Sequence, residues 1–174
     1  SRGFATDKIA VNIDSSSQFL SALLIASCLS GQDFTTCVKG SHGMAYIHMT
    51  LQMMEQFGVK VRRKSPEVFL TKAGQHYQAR EYRIEPDASA ACYFYACCPL
   101  LNVPVLVENV HYHSLQGDVK FIEILEKAGC HAEDTKKGIL LSPPAEGRFR
   151  GVDADMSACS DQAITLAAIA PFAD

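Results

Sequence analysis

Two glycines set the frame for this chain. Gly58 and Gly129 each end a run with helical spacing, and they lie 71 residues apart. Glycine enters the left-handed backbone that closes a helix at little steric cost. The same interval of 71 separates Gln18 from Ser89, each just past a helix start rich in side-chain oxygens. A fixed interval at two independent landmarks is the signature of a repeated supersecondary unit.

Each repeat predicts the order β-α-β-α-β-β. In the first, Ile9–Ile13 reads as a strand, and a helix runs from the serines at 15–17 to about Cys28. Phe34–Val38 is rich in β-formers. A second helix follows from about Ala45 to Phe57, with Ile47, Leu51 and Met54 at helical spacing. Strands are predicted over Val59–Arg62 and Val68–Thr71, around Ser65-Pro66. The second copy reads as a strand at Tyr82–Glu85, a helix capped at Asp87 to about Cys98, and a strand at Val103–Val107. An amphipathic helix at Asp118–Ala128 and strands at Cys130–Glu133 and Gly138–Leu141 complete it. A third copy begins, with Gly151–Ala154 as its opening strand and Ser160–Ile169 as its capped helix. The fold class is thus α/β (α+β), with units at 1–84 and 85–174. A βαβαββ unit cut after its first helix leaves a sheet face uncovered, so the chain is expected to belong to a longer protein.

Composition narrows the function classes. Hydrophobic residues make up 48% and charged residues 20%, enough apolar material for a real core. The net charge of −3 provides no basic field for nucleic acid. No apolar run is long enough to span a bilayer, and the opening residues lack the apolar core of a secretory signal. Seven cysteines, an odd number without a Cys-x-x-Cys pair, fit buried free thiols better than a disulfide framework. His111 and His113 are spaced for one face of a strand, but a zinc site needs further ligands that the sequence does not point to, so no metal is expected.

The stretch with most chemistry is Asp14-Ser15-Ser16-Ser17-Gln18, ahead of the apolar run Phe19–Ala26. Serine and aspartate favour helix N-caps because their oxygens accept otherwise unpaired backbone N–H bonds. The following run is apolar on nearly every face and predicts a buried helix. Its N-terminus offers free amides, partial positive charge and extra hydroxyl donors, which suits a phosphate or carboxylate. An ordinary serine cap fits these residues as well.

Taken together, these segments resemble the 5-enolpyruvylshikimate-3-phosphate synthase family. The resemblance rests on Ser16-Ser17-Gln18-Phe19-Leu20-Ser21-Ala22-Leu23-Leu24, Tyr46-Ile47, Gln56-Phe57-Gly58-Val59, Glu85-Pro86-Asp87-Ala88-Ser89, Gln116-Gly117-Asp118, Leu125-Glu126-Lys127, Asp155-Met156 and Asp161. They occur in the family's order along almost the whole chain and correspond to its middle portion. The resemblance implies two lobes of βαβαββ units, with residues 1–84 closing one lobe and 85–174 opening the other. It implies a transferase that moves the enolpyruvyl group of phosphoenolpyruvate to the 5-hydroxyl of shikimate 3-phosphate, releasing phosphate without a cofactor. The setting would be aromatic amino-acid biosynthesis, in the cytoplasm, or in the plastid for a plant protein. By the same resemblance, Ser16, Ser17, Gln18 and Tyr46 hold shikimate 3-phosphate. Asp161 binds the substrate hydroxyls and is a candidate proton acceptor, though by position it is equally a first-turn acid favoured by the helix dipole. The implied partners are the two substrates and the remainder of the polypeptide, and this stretch by itself is expected to be inactive.

Three positions depart from the family pattern. Gly43 stands where a further phosphate-binding serine is usual, with Ser41 two positions away. His48 follows Tyr46-Ile47 where an acid is common, and Pro86 replaces a crossover glycine. Two rival readings remain at this level. One is the sister transferase acting on UDP-N-acetylglucosamine, and the other is a non-catalytic anion-binding homologue.

Overall fold

The computed structural model describes residues 4–174, and these divide into two compact units, one up to Tyr82 and one of Arg83–Asp174. The first holds β1 (Lys8–Asn12), α1 (Gln18–Ser27), β2 (Phe34–Lys39), α2 (Met44–Gln56), β3 (Val61–Ser65) and β4 (Val68–Thr71). Its sheet has the order β1-β2-β4-β3. β1 and β2 run parallel, while β4 is antiparallel to both its neighbours. Alternation in β2 turns Phe34, Thr36 and Val38 inward. Leu20 and Leu24 of α1 and Ile47 and Met54 of α2 meet Val38 and Phe69 in one apolar cluster. Burying each such side chain contributes about 1.5–3 kcal/mol.

α1 is covered along one face rather than buried all round. Leu20 and Leu24 are fully covered, but Phe19 is 60% and Ile25 49% exposed. A helix packed on one sheet face has one stripe to bury, whatever the polarity of the rest.

The second unit holds α3 (Ala88–Leu101), β5 (Val105–Glu108), α4 (Phe121–Lys127), β6 (His131–Thr135), β7 (Gly138–Ser142) and α5 (Ala163–Ile169). Its three strands are antiparallel in the order β5-β7-β6. Ala91, Cys92, Tyr95 and Cys98 of α3 and Phe121, Ile122 and Leu125 of α4 pack with Ile139 and Leu141. The Tyr95 hydroxyl donates to the Ile139 carbonyl at 2.9 Å, so the ring is buried without an orphaned oxygen.

The repeat is visible in single hydrogen bonds. After α2, Gly58 N–H donates to Glu55 O at 3.0 Å and Val59 N–H to Met54 O at 2.9 Å. After α4, Gly129 N–H donates to Glu126 O at 2.9 Å and Cys130 N–H to Leu125 O at 3.0 Å. These are the same helix-closing bonds 71 residues on, with Gly58 and Gly129 at φ +91° and +109°.

Three sequence expectations change. Tyr82–Glu85 does not form a strand. Tyr82 packs against Phe57, with ring centroids 5.4 Å apart and planes tilted by 40°, while the Arg83 guanidinium donates to Asn109 Oδ1. Glu85 accepts from Ser114 Oγ at 2.6 Å and from the Leu115 N–H. Side chains hold this segment in place of a sheet ladder. Gly151–Ala154 is not a strand either. Gly151 N–H donates to Asp174 O, and Asp174 N–H to Phe149 O, so this backbone pairs with the end of the chain. The helix expected from Asp118 begins as a one-turn 3-10 helix, Gly117–Lys120, before α4. Among the described residues no helix is long and apolar enough to cross a membrane.

All seven cysteines are free thiols. Cys28, Cys92, Cys98, Cys130 and Cys159 are buried, whereas Cys37 and Cys97 are partly exposed. Burial pushes the Cys98 and Cys159 thiols up to about 11 and Cys130 up to about 12. Only the thiolate is nucleophilic. At pH 8, brief alkylation followed by peptide mass mapping is expected to label Cys37 and Cys97 of these seven in the folded protein, and all seven after unfolding. Rapid labelling of Cys98 or Cys130 in the folded state would contradict this packing.

Candidate substrate site

The parallel pairing of β1 and β2 decides where the polar residues of the first unit meet. Both strands end at the same edge of the sheet, so the loops leading into α1 and α2 lie side by side. In sheets of this kind ligands bind beyond the carboxyl ends of parallel strands. The Ile13 N–H donates to Lys39 O at 2.9 Å, which carries the pairing one residue past β1. Gly40, at φ +89°, lets Asp14 lie directly against its α-carbon, and a Cβ there would sit 2.1 Å from Asp14 Oδ1.

Ser17 and Gly43 are the residues immediately before α1 and α2. They touch: a Cβ added to Gly43 would stand 2.5 Å from Ser17 Oγ and 3.4 Å from Tyr46 Cδ2. Gly43 has φ +66°, a conformation that L side chains seldom adopt. The departure at Gly43 therefore has a steric basis, since a serine in this backbone would collide with Ser17. The structure thus gathers Ser17, Gly43 and Tyr46 where two helix N-termini converge. Tyr46 is half-buried on the first turn of α2, and its N–H donates to Gly43 O at 3.0 Å.

Ser17 occupies the cap position but does not cap, because its side chain makes no bond to the first turn. Its backbone carbonyl accepts from the Leu20 and Ser21 N–H groups. The nearest thing to a cap comes from Ser16, whose Oγ accepts the Gln18 N–H at 3.3 Å. Ser17 is 7% exposed, and of the first α1 amides those of Gln18 and Leu20 already have acceptors in Ser16 Oγ and Ser17 O. Gln18 is exposed at the first position of α1. This arrangement can present hydroxyl, amide and backbone donors to an anion without a fixed countercharge.

Asp161 belongs to the second unit. It lies exposed in the one-turn 3-10 helix Ser160–Gln162 that leads into α5. Its neighbour Gln162 is 1% exposed and donates through Nε2 to Asp118 Oδ1 at 3.4 Å. Asp118, itself 2% exposed, also accepts from Ser89 Oγ at 2.7 Å. Thr165 Oγ1 donates to Gln162 Oε1, closing a buried polar chain. Sequence reasoning did not single out this set. The one local signal was an acid directly behind Gly117, and its partners lie 29 and 44 residues away. Upstream, the Ser157 N–H donates to Asp155 at 2.8 Å, and this backbone bond holds the Asp155 carboxyl below its ordinary range.

The sequence model of the family described as EPSP synthase (3-phosphoshikimate 1-carboxyvinyltransferase) matches residues 2–174. A 3-phosphoshikimate 1-carboxyvinyltransferase from Nostoc punctiforme is 40% identical over 174 residues, covering 99% of this chain and 40% of that protein. The chloroplastic enzyme of Arabidopsis thaliana is 38% identical, covering 99% of this chain and 35% of its own. The chain therefore spans about 40% of the length of the first of these relatives. Among solved structures, an EPSP synthase from Acinetobacter baumannii superposes with a TM-score of 0.62 at 17% identity, over 87% of this chain and 35% of that one. The enolpyruvyl transferase NikO from Streptomyces tendae gives 0.63 at 14% identity, over 97% and 42%. These two likenesses establish the fold, and the sequence match over residues 2–174 establishes the kinship: the chain belongs to the EPSP synthase family.

Proposed function

We propose that the protein carrying this chain transfers the enolpyruvyl group of phosphoenolpyruvate to the 5-hydroxyl of shikimate 3-phosphate and releases phosphate. The observation that carries this reading is the meeting of Ser17, Gly43 and Tyr46 at two helix N-termini, inside a chain matched to one family from end to end. Ser16, Ser17 and Gln18 bind the phosphate of shikimate 3-phosphate, and Tyr46 packs against the same substrate. Asp161 accepts the proton of the attacking hydroxyl as the hydroxyl oxygen bonds to the phosphate-bearing carbon of phosphoenolpyruvate, while the methylene carbon takes up a proton from an acid in the rest of the protein. Loss of phosphate from the tetrahedral adduct, together with a proton from the new methyl group, then regenerates the double bond. The names of the relatives above favour this acceptor over UDP-N-acetylglucosamine. Both substrates are anionic, and the chain has a net charge of −3, so the transfer also requires cations from the rest of the protein. This stretch alone should release no phosphate. The bacterial and chloroplastic relatives favour the cytoplasm, or the plastid in a plant.

Ser17→Ala in the intact protein tests the phosphate site. It is expected to weaken shikimate 3-phosphate binding by about 1–3 kcal/mol, the cost of one hydrogen bond to a charged group. Because Ser17 makes no cap bond, the melting temperature should barely move. Calorimetric titration gives the affinity. Unchanged affinity in both Ser16→Ala and Ser17→Ala would remove the serines from the site.

A further inference from the structure

We propose that His111, His113 and Asp134 form a binding site for a borderline divalent cation, with zinc as the representative ion. His111 and His113 sit in one tight turn, closed by the Ser114 N–H donating to His111 O at 3.0 Å. Their rings stack with centroids 5.2 Å apart and planes 16° from parallel. Asp134, on β6, supplies a third ligand, and one ligand atom from each residue lies within 4.8 Å of the other two. Two imidazoles and one carboxylate suit zinc, nickel or copper, and leave an open side for water.

The turn is fixed from several directions, which lowers the cost of ordering a site. The Ile139 N–H donates to Val110 O at 2.9 Å, extending the β5–β7 ladder to the residue before His111. The Tyr112 N–H donates to Asp134 Oδ2 at 3.1 Å, and the Tyr112 hydroxyl to Glu126 on α4 at 3.3 Å. Asp134 is thereby oriented from outside the ligand set, as liganding carboxylates commonly are. A pocket of about 40 Å³ opens beside the two imidazoles, lined also by Glu85, Asn109 and Ser114, with room for a bound water.

His111 Nδ1 now donates to Asp134 Oδ1 at 2.6 Å. Ligand atoms around a four-coordinate zinc at 2.0–2.2 Å stand about 3.3–3.5 Å apart. The ion takes the place of the proton between His111 and Asp134, with the ring binding as a neutral imidazole that carries its remaining proton on Nε2, and the pair opens by less than about 1 Å. The consequence is a clamp joining the segment after β5 to β6.

Zinc titration of the intact protein by calorimetry tests the site, with cobalt absorption as the spectroscopic check. One ion per chain and a melting temperature that rises with zinc are expected. His113→Ala alters an exposed side chain and should leave the fold intact. It and Asp134→Asn should each weaken zinc at least tenfold, since outer-shell changes alone cost about 10–100-fold. The proposal is overturned if zinc in excess produces no binding, or if both variants bind it as tightly as the parent. The second result would place the ion elsewhere, for example on the partly exposed Cys37 or Cys97 thiols.

Discussion

Asp161→Asn in the intact protein is expected to lower phosphate release by about 10²–10⁴-fold, the range contributed by a positioned general base. Asparagine preserves size and hydrogen bonding but cannot take a proton from the substrate hydroxyl. Asp161 is exposed on a short 3-10 turn, so the change should alter stability by no more than about 0.5 kcal/mol, as is usual for surface substitutions. A large fall in kcat with an unchanged melting temperature is the result that fits a proton acceptor. A near-normal rate in steady-state kinetics would leave Asp161 as a helix-start acid favoured only by the dipole.

Asp118→Leu is expected to destabilise the protein by about 1–3 kcal/mol, because it strands one buried and one half-buried donor while relieving the burial of one carboxylate. Those donors are the Ser89 hydroxyl and the Gln162 amide. Asp118→Asn keeps an acceptor oxygen and should cost less. Through Gln162 the loss reaches the turn that carries Asp161, so the leucine variant should also slow transfer. Denaturant unfolding monitored together with phosphate release measures both effects. A leucine variant as stable as the parent would show that this polar chain does not hold the turn before α5.

The residues proposed for the substrate site were legible because their signals are local. Ser16, Ser17 and Gln18 directly precede an apolar helical run, and Tyr46 follows a glycine-bearing loop. What they do there was not legible. The position of Ser17 suggested a cap, yet its hydroxyl leaves the first turn alone and lies against Gly43, 26 residues further on. The metal-type cluster shows the same division. His111 and His113 stand out in any reading of the chain, but Asp134 looks like one of many surface acids until β6 places it beside the turn.

The sequence by itself determined the repeat, the two helix stops at Gly58 and Gly129, the apolar stripe of α2 and the location of the hydroxyl-rich helix start. Each depends on backbone preferences or periodicity within about one or two helical turns. The tertiary structure decided the rest. Tyr82–Glu85 and Gly151–Ala154 carry strand-like residues but form no strand, since a strand exists only when a neighbouring strand pairs with its backbone; here side-chain contacts anchor the first segment, and the end of the chain bonds to Gly151 in the second. It also decided which face of α1 is covered, and drew the half-buried Ser89 and the buried Asp118 and Gln162 into one polar chain. Pairing and burial join residues tens of positions apart, and no local preference records which distant group will arrive.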